Sequence, residues 1–151
     1  MTWNTSRRRR GCIEALTLAP LIHASPAIQV HVATVVPAFA IGTWQIFFSR
    51  KGAPYHRALG YLYLGLMTVT AVAALFIHAL MPHSPVFGMS PVHLFSVLTL
   101  VGIAAALRGA WAHNVAMHRG AMLGVYIGGL LIAGSLAFLP GRIMHAAVFG
   151  S

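Results

Sequence analysis

The stretch 58–81, ALGYLYLGLMTVTAVAALFIHALM, decides the fold. It contains no acid, no lysine and no arginine. About 20 apolar residues wound as an α-helix cross the ~30 Å hydrocarbon core of a bilayer. A helix closes its own backbone hydrogen bonds, and no alternating strand pattern competes here, so the stretch reads as a transmembrane helix and not as a barrel strand. Three further segments read the same way, at about 27–49, 90–112 and 120–140. Their connections are short, which makes consecutive helices antiparallel neighbours. The expected fold is all-α, a four-helix transmembrane bundle over 27–151.

Composition agrees. Of 151 residues 58% are hydrophobic and only 7% charged, too apolar for a water-soluble domain. Glu14 is the single acid, and no aspartate exists. Paired-carboxylate hydrolysis and a Ser-His-Asp triad are therefore excluded. No carboxylate remains in the spans to hold Mg²⁺ or relay protons. One cysteine, Cys12, gives neither an intrachain disulfide nor an iron–sulfur cluster held by this chain alone. The net charge of +9 does not point to nucleic acid. Four of the ten basic residues form the run Arg7–Arg10, and most others flank helix ends, where they anchor to lipid headgroups.

Residues 1–26 form a basic leader. Glu14 and Pro20 interrupt its apolar part and HASPA is a poor cleavage site, so an interfacial segment on anionic lipid is favoured over a signal peptide. Discounting the distant Arg7–Arg10, the loop charges Arg50, Lys51 and Arg57 with Arg108 and Arg119 place the 1–2 and 3–4 loops inside and both termini outside.

The chain also repeats. Sliding it by 62 residues aligns 30–89 with 92–151 without a gap. His31 falls on His93, His56-Arg57 on His118-Arg119, and HSPVFG at 83–88 on HAAVFG at 145–150. Two tandem two-helix repeats follow, related by an axis along the membrane normal. His31 and His93 should then lie near one membrane face, and His56 and His118 near the other.

Ionisable residues within a membrane default to functional roles. Neutral imidazole ligates iron, zinc and copper. Two imidazoles meeting across a bundle can hold haem b from both sides, an arrangement suited to electron transfer. The candidate ligands are His31 with His93 and His56 with His118. Arg57 and Arg119 are the candidate propionate partners. Gly42, Gly60, Gly65, Gly102, Gly120, Gly124, Gly128 and Gly129 would leave room for a porphyrin. The plainer reading makes the His-Arg pairs interfacial anchors and the glycines ordinary helix contacts. His23, His78 and His113 have no repeat partner and are read as structural or interfacial.

HRALGYLYLG, preceded by His31 and by Gly42-Thr43-Trp44-Gln45, resembles the bacterial predicted membrane proteins known as domain of unknown function 2306. The family pattern H-R-x-x-G-x-x-Y falls on His56, Arg57, Gly60 and Tyr63. A second H-R-x-x-M falls on His118, Arg119 and Met122, and Pro140-Gly141-Arg142 closes the last helix in the same style. The resemblance covers about 28–150 and implies a multi-pass protein of the bacterial inner membrane. The paired histidines are more weakly similar to the two-haem transmembrane cytochromes b, with a shorter spacing of 24 residues between the histidines of each half. Together these readings predict a haem b protein exchanging electrons with quinone or a partner protein. The alternative is a non-catalytic scaffold or a small-molecule or metal permease subunit. No catalytic residue is expected, and an enzyme would be confined to redox chemistry at a bound cofactor.

Overall fold

The computed structural model describes residues 24–77 and 91–137. Those residues contain helices and no strand. Helix α1 spans Pro26–Phe47, α2 Pro54–Phe76 and α3 Pro91–Trp111. Helix α4 covers 115–137 and changes its winding twice: α over Val115–Gly124, π over Val125–Ile132, and α again over Ala133–Ala137. All four are long and apolar enough to cross a membrane. The leader 1–23, His23, His78, His83, His145 and the segment Pro140-Gly141-Arg142 lie outside the described residues.

Local chemistry sets the helix ends. Pro26 and Pro54 occupy the first turns of α1 and α2, where the missing N–H costs nothing. Asn114 caps α4, its side-chain oxygen accepting from the Met117 N–H at 3.0 Å. Both signals precede the apolar runs. Helices α2 and α4 therefore start at 54 and 115 instead of near 58 and 120, and both His-Arg pairs lie within the helices, close to their starts. At the end of α1, Lys51 Nζ donates to the carbonyls of Gln45 and Ile46 at 3.0 Å each and of Ser49 at 3.2 Å. A cation on these last carbonyls satisfies groups that have no helical partner. Helix α3 ends differently. The Asn114 N–H reaches the Gly109 carbonyl at 2.8 Å, the His113 N–H reaches Ala110 at 3.2 Å, and His113 has φ of 53°. This is a Schellman motif with histidine at the left-handed position usually given to glycine.

The helices form a ring in chain order, α1 against α2 and α4, and α3 against the same two. Helices α2 and α4 also approach across the middle, where a Cβ on Gly129 would come within 3.0 Å of Met67 Cε. The largest fully buried side chains are Tyr63, Met67 and Val125. Outward-facing residues are large and apolar: Phe47, Phe76 and Trp111 are each more than two-thirds exposed. Gln45, Thr70, Ser96 and Thr99 are buried instead. Polar and small residues inside with large apolar ones outside suit a lipid solvent and would be unfavourable in water.

Helix contacts depend on absent side chains. Gly42 lies between two rings: a Cβ there would stand 2.8 Å from Tyr63 Cε2 and 3.0 Å from Tyr126 Cδ2. A Cβ on Gly109 would stand 2.6 Å from the His118 backbone nitrogen, so α3 and α4 meet there nearly backbone to backbone. The ring order is what a duplicated hairpin gives, and also what any up-and-down bundle gives. One feature separates the halves: α4 is π-wound over Val125–Ile132, while the aligned residues 63–70 of α2 are α-helical.

Candidate functional site

The up-and-down course puts His31 and His93, near the starts of α1 and α3, at one end of the bundle. His56 and His118, near the starts of α2 and α4, lie at the other. His31 Nδ1 stands 2.9 Å from the Thr70 carbonyl of α2. His118 Nδ1 stands 2.9 Å from the Ala106 carbonyl of α3. A carbonyl only accepts, so Nδ1 carries the proton in both rings, and the neutral imidazole keeps its lone pair on Nε2. Metal-binding histidines are commonly oriented in this way. His56 Nδ1 shares a hydrogen with the buried Ser49 hydroxyl at 2.9 Å, and either atom can donate. His93 Nδ1 is buried and meets no partner among the described residues.

His56 and His118 stand at the same end of the bundle, near the starts of α2 and α4, and the Lys51 ammonium caps the neighbouring end of α1. Arg57 and Arg119, one residue further along each helix, are exposed. This end of the bundle therefore gathers two imidazoles with the basic side chains Arg50, Lys51, Arg57, Arg108 and Arg119. Among the described residues no three metal-ligating side chains converge. A protein-only zinc site uses three or four ligands. Haem iron between two axial imidazoles uses two.

Space is distributed differently from the histidines. A groove of about 280 Å³ runs between α3 and α4, lined by Gly102, Ala105, Gly124 and Gly128 among others, with no histidine on its walls. Gly65, Gly120, Gly124 and Gly128 would have nothing within 4 Å of an added Cβ. They do not frame a slot between the paired histidines.

The interior holds a polar layer that sequence reasoning did not single out as a site. Tyr126 Oη and Thr43 Oγ1 meet at 2.7 Å across α4 and α1, and Thr43 also donates to the Phe39 carbonyl at 2.7 Å. Gln45 Nε2 donates to the His56 carbonyl at 3.0 Å. Close by, Gln45 Oε1 and Tyr63 Oη are buried without a partner among the described residues. The signal was available: Thr43 and Gln45 interrupt the apolar end of α1, and Tyr63 completes the H-R-x-x-G-x-x-Y pattern.

Four apolar spans with an inward polar layer define a multi-pass helical membrane protein. Residues 28–146 match the family model of DUF2306, described as predicted membrane protein, and the chain belongs to that family. No curated protein and no solved structure matches significantly, so the likeness to cytochromes b rests on the histidine pattern alone.

Proposed function

We propose that this chain is a membrane electron carrier holding haem b, or another imidazole-ligated transition metal, through His56 and His118 at one end of the bundle. The observation supporting this reading is that pairing. Two imidazoles from opposite helices of the ring share one end, and His118 directs its Nδ1–H to a carbonyl, which leaves Nε2 free to ligate. The donor set fits. The bundle centre does not fit a macrocycle, because Tyr63, Met67 and Val125 fill it. The group would lie near the headgroups, with Arg57 and Arg119 as partners for its carboxylates. Bound through two imidazoles, haem iron exchanges electrons without an open position for substrate. A quinone or a redox protein would be the exchange partner. His31 and His93 form a second candidate pair at the opposite end, where the buried His93 Nδ1 has no described partner.

The test is a spectrum. Protein purified in detergent should show a Soret band that shifts with dithionite and a sharp α band, or should carry a stoichiometric transition metal. Colourless, metal-free protein ends the reading. A second reading rests on one observation: the Nδ1 atoms of His31, His56 and His118 each have a protein partner. The histidines then serve as braces in a non-catalytic scaffold or permease subunit, and the arginines as anchors at the headgroups.

A further inference from the structure

We infer that Gln45 and Tyr63 form an internal water-binding site, one turn below the His56 end of the bundle. Both residues are more than nine-tenths buried, Gln45 at 4% and Tyr63 at 1% exposure. Each has a polar atom without a partner among the described residues, Gln45 Oε1 and Tyr63 Oη. Both side chains lie at the contact between α1 and α2. Tyr63 Cε2, next to the ring carbon that bears the hydroxyl, lies against Gly42, and Gln45 follows Gly42 by three residues on the same helix. Gly60 of α2 lies beside both terminal atoms of Gln45, with 3.8 Å to each from the position of an added Cβ, and Tyr63 is three residues further on.

The chemistry selects the ligand. Gln45 Oε1 is an acceptor and needs a donor. The phenol can donate or accept. A molecule that donates to the amide oxygen and exchanges a hydrogen bond with the phenol satisfies both. Burying either group unpaired is costly, and ordered water is the usual remedy when polar partners converge. Neither the groove between α3 and α4 nor the one lined by Ala40, Ile41, Trp44 and Leu59 has Gln45 or Tyr63 on its walls. The water extends the polar layer from the His56 carbonyl, which Gln45 Nε2 already holds, towards the Thr43–Tyr126 pair. The inference does not depend on any metal at His56 and His118.

The chain contains two glutamines, Gln29 and Gln45, so ¹⁵N-labelling of glutamine side-chain amides gives two signals. Gln29 is exposed and serves as the internal standard. In the full chain reconstituted in bilayers, polarisation transfer from water should reach the Gln45 amide despite its burial. Tyr63→Phe should remove most of that transfer and leave Gln29 unchanged. Transfer to Gln29 with none to Gln45 overturns the site. Undiminished Gln45 transfer in Tyr63→Phe does so too, because the phenol would then hold nothing. If Tyr63→Phe does not fold, the wild-type spectrum alone decides between water at Gln45 and none.

Discussion

His31 on α1 and Thr70 on α2 are joined through the ring nitrogen of one and the backbone carbonyl of the other, at 2.9 Å. Beside this bond the Thr34 and Thr70 hydroxyls meet at 2.7 Å. The two contacts answer differently to substitution. Thr70→Val removes the hydroxyl pair and keeps the carbonyl, so the His31 bond survives. His31→Ala removes that bond and leaves the carbonyl with its helical partner. Polar contacts between membrane helices average about 0.6 kcal/mol, with a ceiling near ~1.7 kcal/mol. Each single change should cost an amount in that range in a detergent or steric-trap unfolding assay. Their effects should be close to additive, because neither change removes the other contact.

Gly42 and Gly120 are both helical glycines, and alanine should act on them in opposite directions. At Gly42 the new methyl would stand 2.8 Å from one tyrosine ring and 3.0 Å from another, and both tyrosines are buried. Overpacking of this kind costs about 1–3 kcal/mol. At Gly120 nothing lies within 4 Å, so alanine gains helix propensity at no steric cost, a stabilisation of up to ~1 kcal/mol. Unfolding midpoints of the two variants, measured side by side, check the contrast. A destabilised Gly120→Ala would show that this face is covered by something in the membrane.

His113 tests the turn between α3 and α4. Its φ of 53° is a left-handed conformation that costs a non-glycine residue about 1–2 kcal/mol. Its side chain is exposed, so glycine loses little packing. His113→Gly should therefore stabilise the protein by up to ~1 kcal/mol, part of the gain being offset by the greater freedom of glycine in the unfolded chain. An unfolding midpoint that falls instead would mean that the imidazole makes a contact worth more than the strain.

The sequence revealed the spans because length and apolarity alone decide whether a helix can cross lipid. It also placed the histidines at opposite ends, since chain direction alternates from helix to helix. Helix starts were displaced by four or five residues because Pro54 and Asn114 act before hydrophobicity begins. The bond partners were not legible. Which carbonyl His31 or His118 reaches depends on rotation about each helix axis, and an all-round apolar helix carries little signal for that rotation. The π winding of Val125–Ile132 was hidden for the same reason. Gly128-Gly129 permits it without announcing it. The buried polar groups of Gln45 and Tyr63 were half visible as polar interruptions, but that each leaves an atom unpartnered among the described residues shows only in three-dimensional positions.

The last prediction separates a shared ligand from two independent braces. His56 bonds the Ser49 hydroxyl, and His118 bonds the Ala106 carbonyl, so as braces they have no partner in common. As braces, His56→Ala and His118→Ala should each cost about 0.6 kcal/mol, and the double variant should show their sum. As ligands of one metal or haem, either single change should remove most of the bound group, and the second change should then add little, because residues acting as a unit are not additive. His113→Ala is the control. It is near His118 in sequence, but it is exposed in the turn and should leave spectrum and metal content untouched. Absorbance, metal content and unfolding should be read on the same four samples. Small additive losses with no change in bound metal would remove the electron-carrier reading and leave a helical scaffold tied together at its His-Arg ends.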